Sequence, residues 1–176
     1  TETYVPLLAM MDRLRRDAVP FQLTMSLTPP LCEMLADALL MTRYAQRLDA
    51  LVALAQALAE QHRGSWYEAA ADDALATFES VRATFRAHEG DLLSGFRGHQ
   101  DAGGLAIVTC GATHGLLPLM ATVEGRRAQL SVAQQNYRKH FGRSAEGIWL
   151  GECAYQSGLD ALIVEQNIRY VFLETH

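Results

Sequence analysis

Lysine occurs once in this chain, at Lys139, and the rest of the positive charge is arginine. With a formal net charge of −5 there is no basic footprint, and nucleic acid is not expected as a partner. Cysteine is scarce too. Cys32, Cys110 and Cys153 are few and odd in number, which argues against a disulfide framework and for a reducing, cytoplasmic setting. No apolar run approaches the roughly 20 residues that cross a bilayer, so no membrane partner is expected. No Gly-x-Gly-x-x-Gly or Walker loop follows any strand-like segment, which counts against a nucleotide fold. The first apolar residues belong to an amphipathic pattern carrying Arg13, Arg15 and Arg16, and are read as a helix instead of a secretion signal.

What is present is a globular composition. Of 176 residues, 49% are apolar and 20% charged, enough for a real core and consistent with one domain. Residues 1–18 place Tyr4, Leu7, Leu8, Met11 and Leu14 on one helical face, with Pro6 tolerated in the first turns. Residues 21–27 read as a buried strand ended by Thr28-Pro29-Pro30. Helical signals then run from Leu31 to about Arg97. Tyr44, Leu48, Leu51, Ala55 and Leu58 share one face, and Leu75, Phe78, Val81, Phe85, Leu92 and Phe96 another, with a turn at Gly64-Ser65.

Residues 105–110 form a second buried strand delivering Gly111-Ala112-Thr113-His114-Gly115. A helix follows with Val123, Leu130, Ala133, Tyr137 and Phe141 inward and Gly142 at its end. Ile148-Trp149-Leu150 is a third strand, ending abruptly on Gly151-Glu152. A short helix from Gly158 to Gln166 leads to a fourth strand at residues 170–173 and then Glu174-Thr175-His176.

Strands alternating with helices imply an α/β fold with parallel strands and right-handed crossovers. The last three strands are spaced as in a β/α barrel or an open sheet. The long helical stretch of residues 31–98 is an insertion after the first strand present, which in a barrel lies on the active-site face. Parallel strands collect polar groups at their C-terminal ends: Ser26 and Thr28, Thr109, Thr113 and His114, Glu152 and Tyr155, Glu174 and His176. Each alone has an ordinary reading as a loop or cap residue. Their position at one end of consecutive strands is what points to a site. So few parallel strands cannot close a barrel, and residues 1–176 are expected to be a slice of a larger catalytic domain.

Ala112-Thr113-His114-Gly115-Leu116-Leu117-Pro118 and Ile148-Trp149-Leu150-Gly151-Glu152-Cys153-Ala154-Tyr155 resemble the second and third motifs of glycoside hydrolase family 57. Within it they are most similar to the 1,4-α-glucan branching enzymes, as are the segments around Met25 and Tyr170. The resemblance implies an incomplete (β/α)7, TIM-like barrel and a retaining double displacement on amylose or a glycogen-like α-glucan, in glycogen synthesis. It makes Glu152 the nucleophile and His114 a sugar contact, with Thr113, Tyr155, Trp149 and His176 as further substrate-binding candidates. Two departures matter. The family's His-x-His-Leu-Pro segment has no counterpart here, and no aspartate sits at a strand end to act as the acid/base, which the remainder of the catalytic domain would supply. Residues 1–176 alone are therefore expected to be inactive.

No cofactor or metal is expected. A zinc reading on Cys110, His114, Cys153 and His176 competes, but Cys-x-x-x-His is not a compact zinc signature. The same motifs also serve 4-α-glucanotransferases and α-amylases. A non-catalytic carbohydrate-binding remnant, stacking sugars on Trp66, Tyr67, Trp149 or Tyr155, is the alternative of another class.

Overall fold

The computed structural model describes residues 1–173. In chain order the elements are α1 (Tyr4–Arg16), β1 (Leu23–Ser26), α2 (Pro29–Ala36), α3 (Ala38–Gln61), α4 (Glu68–Ala87), α5 (Leu92–Asp101), β2 (Leu105–Val108), α6 (Val123–Phe141), β3 (Gly147–Trp149), α7 (Leu159–Glu165) and β4 (Tyr170–Phe172). Single turns of 3₁₀ helix at Leu117–Leu119 and Gly151–Cys153 follow β2 and β3. The chain divides into two units, Thr1–Pro20 with Leu35–Phe96, and Phe21–Met34 with the chain from Arg97 onward.

The first unit is helical. α1 starts with Pro6 in its first turn, where a missing N–H costs nothing, and ends on Arg13, Arg15 and Arg16, which suit the negative end of the helix dipole. Its buried stripe is Val5, Leu8 and Met11: Leu8 and Met11 are on the expected face, Val5 is not, and Tyr4, Leu7 and Leu14 are only half-buried. Asp37 caps α3, accepting the Leu40 N–H at 2.8 Å. α3 buries Leu48, Val52 and Ala55, while Leu58 of the expected face is exposed. α4 answers with Val81 and Phe85, and Tyr44 meets the Phe85 ring edge-on at 5.1 Å. The intervening turn leaves Trp66 92% exposed, so this ring is not a core residue.

In the second unit β1 pairs with β2 in parallel, Leu23 opposite Leu105 and Ser26 opposite Val108. β3 pairs with β4 in parallel, Gly147 opposite Tyr170 and Trp149 opposite Phe172. A parallel bridge between Thr109 and Ile148 joins the two pairs, so the strands run in chain order β1-β2-β3-β4. Through that bridge Trp149 N–H donates to Thr109 O at 2.8 Å and Thr109 N–H to Gly147 O at 3.2 Å. β1, β2 and β4 are shorter than the segments read from the sequence, and β3 has the expected length one residue earlier.

α6 and α7 are the crossovers on either side of β3. Thr122 caps α6 by accepting from Gly125 N–H, and Gly142 ends it in the left-handed region at φ 70°. Leu130, Ala133, Tyr137 and Phe141 are buried as expected, but Val123, in the first turn, is exposed. Leu117, Leu130, Ile148, Leu150, Leu159, Leu162, Ile163 and Ile168 form one core between these helices and the strands. Each such side chain contributes roughly 1.5–3 kcal/mol by leaving water.

Candidate active site

The two motif loops leave the C-terminal ends of neighbouring strands and approach through their backbones. A Cβ built on Gly151 would stand 3.3 Å from Gly115 O and 3.5 Å from His114 O, so a glycine here lets the loop after β3 lie close against the loop after β2. Both loops hold non-glycine residues in the left-handed region: His114 at φ 56°, Glu152 at φ 51° and Cys153 at φ 54°. Such a backbone costs about 1–2 kcal/mol per residue, and concentrations of it mark sites where geometry matters more than stability. The strain falls on His114 and Glu152, both singled out in the sequence, and on Cys153; outside these two loops Ala18, Glu89 and Asn167 also take positive φ.

The side chains do not all gather in one place. His114 and Trp149 line a cavity of about 390 Å³ together with Thr24, Ser26, Thr28, Val108 and Phe172. Trp149 stands beside Phe172 with ring centres 5.9 Å apart. Thr24, Ser26 and Thr28 sit at alternate positions and so present their side chains on one face of β1 and its extension. The Ser26 hydroxyl oxygen is buried there without a hydrogen-bond partner among the described residues. The cavity is thus an apolar strand-end hollow with a row of hydroxyls and one imidazole. Sequence reading had named Ser26, Thr28 and His114 in the strand-end rim; it missed Thr24 and Phe172, although the period of two along β1 carries the signal for Thr24.

Glu152 is exposed and is not among the residues lining this cavity. Thr113 and Tyr155 are also exposed and outside its lining. Thr113 turns to α6, its N–H donating to Gln129 Oε1 at 2.9 Å and its hydroxyl at 3.2 Å. The Tyr155 hydroxyl donates to Asp160 Oδ1 at 3.1 Å. That bond raises the Tyr155 phenol and lowers the Asp160 carboxyl from their ordinary values. Asp160 also accepts the Gly158 N–H, and so stitches the loop after β3 to the start of α7. His176 lies outside the described residues.

Beneath His114 lies Cys110, fully buried. Its Sγ is 3.2 Å from His114 Nδ1 and donates to Gly111 O at 3.1 Å. Burial pushes this thiol up to about 12, a hydrogen bond with the His114 backbone offsetting part of the rise. The zinc reading had grouped Cys110 and His114 as ligands. The pair is adjacent, but among the described residues no three His, Cys, Asp or Glu side chains form a metal-holding group.

Comparison with known proteins follows the same lines. The chain is 34% identical over 191 residues to the 1,4-α-glucan branching enzyme TK1436 of Thermococcus kodakarensis, an alignment that takes in 99% of this chain and 28% of that protein. This chain therefore spans little more than a quarter of its curated relative. The crystal structure of AmyC, described as a novel α-amylase, from Thermotoga maritima superposes with a TM-score of 0.94 at 40% identity, over 100% of this chain and 34% of that one. The GH57-type branching enzyme of Pyrococcus horikoshii superposes at 0.91 with 30% identity, over 96% of this chain and 35% of that one. The model of glycosyl hydrolase family 57 matches residues 1–176. An α/β chain with parallel strands in sequential order, two strained motif loops at their C-terminal ends and these relatives belongs to glycosyl hydrolase family 57.

Proposed function

We propose that this chain carries the nucleophile side of a retaining α-glucan-active site, of the 1,4-α-glucan branching type, within a cytoplasmic enzyme of glycogen synthesis. The chain is then part of a (β/α)7 barrel spanning residues 1–176, with residues 31–98 as a helical insertion in it. The strand order β1-β2-β3-β4 supports this, since single winding in one direction is how a barrel is built and a doubly wound sheet reverses. The observation that carries the functional reading is the strained, exposed Glu152 in the turn after β3, with the His114 loop packed directly against the preceding glycine.

In this scheme Glu152 attacks the anomeric carbon, and a second carboxyl ~5 Å away protonates the leaving oxygen. An exposed carboxylate suits the first role, because a nucleophile has to be ionised. The covalent glucan passes to a 6-hydroxyl in branching and to water in hydrolysis. His114 and Trp149, with the β1 hydroxyls, offer the polar and aromatic surface that a sugar ring needs. Thr113, Tyr155 and His176 are the further substrate contacts proposed. The second carboxyl belongs to the remainder of the catalytic domain.

Glu152→Gln in the complete protein tests the reading. Activity on amylose should disappear while the unfolding transition stays in place, and retained branching would exclude Glu152 as nucleophile. A second reading, α-amylase-type hydrolysis, is favoured by the 40% identity to AmyC. Product analysis separates the two: new α-1,6 linkages mean transfer, and reducing ends without them mean hydrolysis.

A further inference from the structure

Cys110 is fully buried and cannot itself meet a ligand, yet it touches a cavity residue. Two distances bear on the proton arrangement around its sulphur. A carbonyl oxygen has no hydrogen to give, so the 3.1 Å approach of Sγ to Gly111 O is a hydrogen bond only if the thiol hydrogen points there. The thiol has a single hydrogen, and toward every other neighbour the sulphur can only accept. The 3.2 Å contact with His114 Nδ1 is then satisfied when Nδ1 bears the hydrogen. In the neutral imidazole this leaves Nε2 as the acceptor. The backbone holds the same geometry, since His114 N–H donates to Gly111 O at 2.8 Å and the residue is locked in the left-handed region.

We infer that Cys110 is a positioning residue for His114: it keeps Nδ1 protonated, so that Nε2 stands at the cavity as a hydrogen-bond acceptor for a sugar hydroxyl. The last clause rests on the reading of His114 as a glucan contact; the tautomer itself does not. The buried thiol titrates far above neutrality, so its hydrogen stays in place over the pH range in which such an enzyme works. The inference separates this cysteine from the redox and metal roles usually given to one beside a histidine. It also says what the cavity reads. An acceptor nitrogen on a cavity that Ser26 also lines, its hydroxyl oxygen without a partner among the described residues, suits a ligand with several hydroxyl groups, each able to donate and accept.

The test uses the complete protein with ¹⁵N-labelled histidine, alongside Cys110→Ala, Cys110→Ser and His114→Ala. Nitrogen NMR of the unmodified protein should show His114 with its hydrogen on Nδ1, a mixture of tautomers in Cys110→Ala, and the original state restored in Cys110→Ser. Maltooligosaccharide binding should weaken roughly fivefold to tenfold in Cys110→Ala, the equivalent of one lost hydrogen bond, and return to within about twofold in Cys110→Ser. His114 protonated on Nε2 in the unmodified protein overturns the inference, and that measurement needs no variant to fold. Serine binding as weakly as alanine also overturns it, because packing and not the hydrogen bond would then be what was lost. If His114→Ala binds glucan normally while the Nδ1 tautomer is observed, the positioning stands and the glucan reading of His114 fails.

Discussion

Glu33, on α2, accepts hydrogen bonds from three side chains of α6: Lys139 Nζ at 2.7 Å, Asn136 Nδ2 at 2.6 Å and the His140 ring at 3.0 Å. Its carboxyl is lowered from the ordinary value, first by the Lys139 hydrogen bond and then by that of His140. A depressed folded-state value means that the stabilisation is present above the unfolded value and is lost as pH falls through the folded one. Glu33 is half exposed, so the effect is modest. We expect unfolding free energy to decline on acidification with a slope that Glu33→Gln makes shallower, measured by denaturant titrations at a series of acidic pH values. Nothing local in the sequence tells that the partners of Glu33 lie more than 100 residues along the chain. Glu152 is the opposite case. Its place at a strand end was legible from three apolar residues stopping at Gly151, whereas its left-handed backbone was not.

At the scale of elements, Gln134 ties α6 to the segments that follow it. It is fully buried, its Nε2 donating to Ala145 O at 2.8 Å and to Gln166 O at 3.1 Å, and its Oε1 accepting the Ala145 N–H at 2.9 Å. One side chain thereby satisfies backbone groups just before β3 and just after α7, where the chain turns into each strand. Gln134→Leu keeps the size but strands a buried N–H and two carbonyls. Destabilisation of roughly 2–4 kcal/mol should follow, read from equilibrium unfolding. In the sequence Gln134 sits beside Ala133 on the inward face of an amphipathic helix, where a polar residue looks like an error of pattern. Its purpose appears only when loops from either side of β3 arrive at it. The faces of α1 and α3 make a related point. Their helices were legible from spacing, but the buried stripe shifted towards Val5 and Val52, because a neighbouring helix chooses which flank of an apolar arc it covers.

At the scale of the whole molecule, the proposed chemistry asks for two carboxylates, and among the described residues Glu152 is the one just past a strand's C-terminal end, Glu174 lying outside them. The chain's aspartates lie in helices or helix ends and loops, including Asp160 in the first turn of α7, which holds Tyr155 and the Gly158 N–H. Residues 1–176 expressed alone should therefore turn over no amylose, whereas the complete protein should, in a side-by-side assay of iodine staining and reducing ends. Turnover by the isolated segment would refute the division of the two carboxylates. The strand order also belongs to this scale. Pattern alone left a barrel and an open sheet equally available, since both alternate strand with helix. The bridge from Thr109 to Ile148 puts β2 beside β3, and adjacency of that kind is a property of the assembled sheet.

Determined by the sequence itself were the classes of element, their order, and the two motif loops with His114 and Glu152 at strand ends. These depend on residues near one another in the chain, and periodicity and turn chemistry report them directly. Tertiary structure alone decided that His114 and Trp149 share a hollow with Thr24, Ser26 and Thr28 while Thr113 and Tyr155 turn to α6 and α7. It alone decided that the buried Cys110, four residues upstream, would touch the imidazole. The physical reason is that a side chain's direction depends on backbone angles and on partners brought from distant segments, and neither is encoded in spacing.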